Sequence, residues 1–115
     1  MSKVALVVDD DPAVLELVAE MLAELGFEVI TQQDSTAALV ALAQDQRIEL
    51  LLTDINMPGI AGHELAKQAK RLRPGVKPIL ISALDGDGRG FPLLRKPFLQ
   101  AELARVIRET TGPGL

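Results

Sequence analysis

A chain of 115 residues with a net charge of −4 is long enough to bury one core unaided, and that acidic balance argues against its holding nucleic acid directly through phosphate contacts. Hydrophobic residues make up 48%, yet no apolar run approaches the roughly 20 residues that cross a bilayer and no secretory-signal pattern opens the chain. With no cysteine there are no disulfides and no thiolate metal sites, so the expectation is a soluble, cytoplasmic protein without membrane contact. Phe27, Phe91 and Phe98, without Trp or Tyr, offer no stacking platform for single strands.

Short apolar runs alternate with helical periodicity, which predicts repeated βα units around a parallel sheet. Val4 to Val8 reads as the first strand. Asp11 then caps a helix that Pro12 begins, on which Val14, Val18, Leu22 and Leu25 recur at helical spacing before Gly26 ends it. A second strand over Glu28 to Thr31 leads to a helix capped by Asp34 or Ser35 and packed through Ala38, Leu39, Leu42 and Ala43. Ile48 to Thr53 forms the third strand, and the third helix sets Ala61, Leu65, Ala69 and Leu72 on one face before Pro74 stops it. Lys77 to Ile81 and Phe91 to Leu94 are the last strands, and a final helix after Pro97 buries Leu99, Leu103, Val106 and Ile107. "VALVV" and "IELLLT" are nearly continuous apolar runs, so both belong mid-sheet with both faces covered. One domain over 1–115 is expected, with its core at about 3–110 and a frayed tail at 111–115.

One link departs from the pattern. "SALDGDGRG", between the fourth and fifth strands, alternates glycine with charge and has no apolar helical face. Parallel crossovers normally take a dozen residues or more and usually hold a helix. Here a compressed loop, or at most one helical turn, is expected.

Asp9 and Asp10 fall at the carboxyl end of the first strand and Asp54 at that of the third. In doubly wound sheets ligands bind beyond these strand ends, where the order reverses. If the order is 2-1-3-4-5, three carboxylates share one crevice, which raises some of their pKa values and destabilises the fold unless a cation intervenes. Oxygen ligands from few carboxylates suit Mg²⁺ or Mn²⁺ better than zinc. Ser82 ends the fourth strand and Lys96 the fifth, so a metal, a hydroxyl and an ammonium could together neutralise phosphoryl oxygens.

Jointly "VVDDDP", "LLLTDINMPGIAG", "LISA" and "RKPF" give the stretch from about residue 3 to residue 110 a resemblance to the response-regulator receiver domains of two-component signalling. The resemblance implies a flavodoxin-like α/β fold with a five-stranded parallel sheet in the order 2-1-3-4-5. It implies that Asp54 accepts a phosphoryl group from a phosphohistidine of a histidine kinase or phosphotransfer protein. Asp9 and Asp10 become the acidic pair that positions Mg²⁺, with Asp10 the direct ligand, and the backbone carbonyl of Asn56 another ligand. Ser82 becomes the switch hydroxyl, Lys96 the contact to the phosphoryl group, and Lys96-Pro97 a cis peptide.

Three departures stand out. The family's fourth helix is missing or shortened, which removes part of the face that such domains commonly use for output. The aromatic position three before the lysine is Leu93, with Phe91 the remaining aromatic nearby. The capping position after "KPF" is Leu99, so the last helix starts loosely.

Plainer roles compete at several positions. Asp11 reads as a helix cap, His63 as a surface residue, and Asp85 with Asp87 lacks the twelve-residue calcium-loop pattern. Two rival functions remain. A Mg²⁺-dependent aspartyl-phosphate phosphatase would use the Asp9-x-Asp11 spacing but has no room here for a cap domain, and an unphosphorylated interaction domain would keep the pocket as a vestige. The expectation is a phosphoacceptor, stand-alone or within a hybrid kinase, that catalyses only its own phosphorylation and dephosphorylation.

Overall fold

The structure, a computed structural model, describes residues 3–57, 59–83 and 87–111. Its elements run β1(Lys3–Val8), α1(Pro12–Glu24), β2(Phe27–Gln32), α2(Ser35–Gln44), β3(Ile48–Asp54), α3(Gly62–Leu72), β4(Lys77–Ser82), β5(Leu93–Arg95) and α4(Gln100–Thr111). The five strands are parallel in the order β2-β1-β3-β4-β5, so "VALVV" and "IELLLT" do lie inside the sheet.

Their apolar continuity has a direct cause: neighbouring residues of each strand enter different cores. Ala5, Val7, Leu50, Leu52, Ile79 and Ile81 pack with Leu15, Val18 and Leu22 of α1 and Leu103, Val106 and Ile107 of α4. Val4, Leu6, Val8 and Leu51 pack on the opposite face with Ala38 and Leu42 of α2 and Leu65 and Ala69 of α3. Burying such branched side chains on two faces stabilises by about 1.5–3 kcal/mol each, which is why a polar residue is tolerated only where the strands end.

The helix starts follow local chemistry. The Asp11 carboxylate accepts the Ala13 N–H at 2.9 Å, with Pro12 at the first helical position, and Gly26 closes α1 at φ 97°. Asp34, not Ser35, caps α2, accepting from Ala37 at 2.8 Å. Ser35 is buried, and its hydroxyl donates instead to the Ile60 carbonyl in the β3–α3 loop at 2.8 Å. Ahead of α4, the Glu102 carboxylate accepts the Leu99 N–H at 3.2 Å, which is half of a capping box without the capping side chain. The Lys96-Pro97 peptide is cis.

Some boundaries and faces differ from expectation. β5 begins two residues later than predicted, because Phe91 is spent in a turn in which its N–H donates to the Gly88 carbonyl at 2.9 Å. In α3 the buried stripe is His63, Leu65, Ala66 and Ala69; Ala61 precedes the helix and Leu72 is 45% exposed, one turn beyond the sheet's reach. Leu99 is 71% exposed, because it lies outside α4. Thr111 belongs to α4, its hydroxyl donating to the Ile107 carbonyl, and residues 112–115 of the expected tail lie outside the described residues.

Between β4 and β5 no helix occurs among the described residues. Arg89 at φ 51° and Gly90 at φ 92° make a tight left-handed turn, and the Leu80 N–H reaches the Pro92 carbonyl at 2.8 Å. Gly88 is buried against this turn; a Cβ there would collide with the Phe91 carbonyl oxygen and lie 3.5 Å from Leu93 Cβ. Leu80 is nonetheless fully buried.

Candidate phosphoacceptor site

Three strand ends supply the site. Asp9 follows β1 and is held in line by its N–H, which donates to the Gln32 carbonyl of β2 at 3.2 Å. Its carboxylate is only 2% exposed and both oxygens are occupied: one accepts the Asp11 N–H at 2.9 Å, the other the Lys96 ammonium at 3.0 Å. Asp10 is exposed. Asp54 is the last residue of β3, buried, with one carboxylate oxygen 3.4 Å from the Asn56 N–H and the other 3.8 Å from Lys96 Nζ. Single carboxylate oxygens of Asp9, Asp10 and Asp54 all lie within 4.8 Å of one another.

Burial pushes the Asp54 carboxyl above the ordinary carboxylate range; the Lys96 ammonium and the Asn56 N–H pull it down, while Asp9 and Asp10 add to the rise. The three carboxylates are crowded together, and one ammonium is shared between Asp9 and Asp54. An all-oxygen set of this spacing, with one exposed member, fits a Mg²⁺ site.

Ser82 ends β4 at the same edge. Asp54 pairs with Ile81 across the sheet, so Ser82 stands one residue beyond it, and its carbonyl accepts the Lys96 N–H at 2.8 Å. The structure thus brings Asp9, Asp10, Asp54 and Lys96 into one cluster and sets Ser82 at its border. Asn56 is exposed in the loop that follows. Asp11 turns away to cap α1. Asp87 accepts the Arg89 N–H at 2.9 Å, and Asp85 lies outside the described residues.

Two supporting residues were not anticipated. Gly62 fits where no side chain could: a Cβ would collide with the Asp54 carbonyl oxygen and lie 2.8 Å from Ile55 Cα, and its N–H donates to the Ile55 carbonyl at 2.9 Å. The "GIAG" turn contained that glycine, but only the folded loop reveals the close approach. His63 corrects the surface reading. It is 8% exposed, and its Nε2 lies 2.6 Å from the Asp87 carbonyl oxygen. Glu64 and Lys67 form the exposed face of this helix, so the rotation of α3 against the sheet, invisible in a single polar residue, turns His63 inward.

A family model described as the response regulator receiver domain matches residues 5–108. This chain belongs to the receiver-domain family. It is 36% identical over 110 residues to the DNA-binding transcriptional regulator NtrC of Azospirillum brasilense, covering 89% of this chain and 23% of that one. It is 33% identical to response regulator GacA of Pseudomonas syringae pv. syringae, covering 96% and 49%. The chain therefore spans less than half the length of either relative. Among solved structures, a CheY-like receiver domain from Methanospirillum hungatei is similar at TM-score 0.86 and 28% identity, covering 96% of this chain and 94% of that one. The receiver domain of sensor histidine kinase PA1611 from Pseudomonas aeruginosa, with a magnesium ion coordinated in its active site cleft, is similar at TM-score 0.85 and 27% identity, covering 97% and 99%. Among the described residues no helix stands between β4 and β5, and Leu93 is half-buried.

Proposed function

We propose that Asp54 is a phosphoacceptor, taking a phosphoryl group from a phosphohistidine of a histidine kinase or phosphotransfer protein. The observation that carries this reading is the burial of Asp54 beside one ammonium and two further carboxylates at the carboxyl edge of the sheet. An Asp54 oxygen attacks phosphorus while the P–N bond breaks, and the imidazole leaves with the electron pair. Lys96 is poised to transfer from its Asp9 and Asp54 contacts to a phosphoryl oxygen, and the Ser82 hydroxyl to donate to another. Asp9, Asp10, Asp54 and the Asn56 carbonyl would hold Mg²⁺ or Mn²⁺, with Asp10 in direct contact and Asp9, whose oxygens are already engaged, orienting from behind. A bound ion supplies the positive charge that offsets both the carboxylates and the incoming phosphoryl oxygens.

The phosphatase alternative needs the second aspartate of Asp9-x-Asp11 to face the substrate, whereas Asp11 is engaged at the start of α1. We read the domain as turning over only its own aspartyl phosphate. Receivers similar to it occur both in response regulators and in a sensor histidine kinase.

With Mg²⁺ and acetyl phosphate, intact mass should rise by one phosphoryl group, and Asp54→Ala should abolish the gain. No gain, or one that survives Asp54→Ala, overturns the reading. Steady multiple turnover of a phosphate ester would favour the phosphatase.

A further inference from the structure

His63 has no part in the chemistry above, yet it is buried and bonded across 24 residues to the Asp87 carbonyl. A carbonyl oxygen only accepts, so the ring must donate from Nε2. The bond joins two segments that the sequence holds apart. On one side is the first turn of α3, where Gly62 rests against the Asp54 carbonyl with no slack for a methyl group and donates to Ile55. On the other is the turn ahead of β5: Asp87 holds the Arg89 N–H, Gly88 accepts from Phe91, and Gly88 abuts Leu93.

We propose that His63 is the positioning residue that carries changes at Asp54 to the turn ahead of β5. The inference rests on the phosphoacceptor reading of Asp54. Any shift of the backbone at 54–55 moves Gly62, because the contact there leaves no free space, and His63 is the next residue. Its hydrogen bond is directional and part-buried, with the ring itself shielded from water. Leaving a buried donor or acceptor unpaired is costly, so the turn either follows the ring or lets go of it. Both outcomes alter the surface formed by Arg89, which is exposed, and by Phe91 and Leu93, which are half-buried. A partner that reads phosphorylation would read this turn.

The test uses the ¹⁵N-labelled full chain with Mg²⁺ and beryllofluoride as the probe, and intact mass after acetyl phosphate in parallel. In the wild type, beryllofluoride should shift the Gly62, Arg89 and Phe91 amides and the His63 Nε2–H signal. In His63→Leu, phosphorylation and the Gly62 shift should persist while the Arg89 and Phe91 shifts are lost; His63→Gln, which keeps a donor of similar reach, should restore them. If either variant fails to fold, the wild-type imidazole signal decides. Equal turn shifts in His63→Leu and wild type, or a stationary imidazole signal while Gly62 moves, overturns the inference and leaves the phosphoacceptor reading intact. Absence of phosphorylation in the wild type overturns both.

Discussion

The crossovers that leave β3 and β4 start from neighbouring strand ends and are held by different means. After β3, α3 lays Leu65, Ala66 and Ala69 into a core with β1 and β3, and α3's fit comes from ordinary apolar burial. After β4, the described part of the link, 87–92, is a turn held by one close-packed glycine, a left-handed Arg89-Gly90 pair and one histidine bond. A helix spreads its hold over many interchangeable contacts. A turn concentrates it in a few groups, each with its own required geometry.

Breaking the helical side should have the largest effect. Leu65→Ala removes a fully buried side chain and should cost about 2–5 kcal/mol in urea unfolding; a loss below ~1 kcal/mol would mean that α3 is not anchored as described. Gly88→Ala should cost about 1–3 kcal/mol by forcing the Phe91 carbonyl aside. Its distinguishing sign is a loss of amide protection at Phe91 while the α3 amides stay protected; uniform loss would show that the turn is not a separate unit.

The acidic pocket should respond to pH. The Asp54 pKa is raised in the fold, so the folded state holds its proton more tightly than the unfolded chain. That contribution is fully present below the ordinary value of 3.8 and is lost as pH rises through the raised one. Without metal, Asp54→Asn should therefore be more stable than wild type at pH 7, and the difference should shrink as pH falls toward 3.8. An equal or less stable variant at pH 7 would refute the crowding. Asp10→Asn should weaken Mg²⁺ binding, measured by calorimetry, by at least the roughly 10–100-fold typical of altering a ligand's hydrogen-bond partner. Unchanged affinity would remove Asp10 from the ligand set.

The smallest effect belongs to α4. Leu99→Ser adds the missing cap opposite Glu102 and should raise the thermal midpoint by the equivalent of about 0.5–1 kcal/mol. No rise would mean that the Glu102 contact already suffices.

The sequence by itself determined that Asp9, Asp10 and Asp54 converge at one edge of the sheet, that Asp11 caps the helix Pro12 begins, and that no apolar helical face follows Ser82. Each depends on spacing along the chain: apolar runs place strand ends, Pro after Asp marks a cap, and alternating glycine and charge cannot form a helical stripe. The tertiary structure alone decided that His63 faces inward, that Ser35 holds the Ile60 carbonyl rather than its own helix, that Gly62 meets the Asp54 carbonyl, and that Leu72 and Leu99 stay exposed. These outcomes depend on how far an element rotates and where its neighbour passes. One polar residue or one glycine carries no periodic signal, so its role is set only when two distant segments meet.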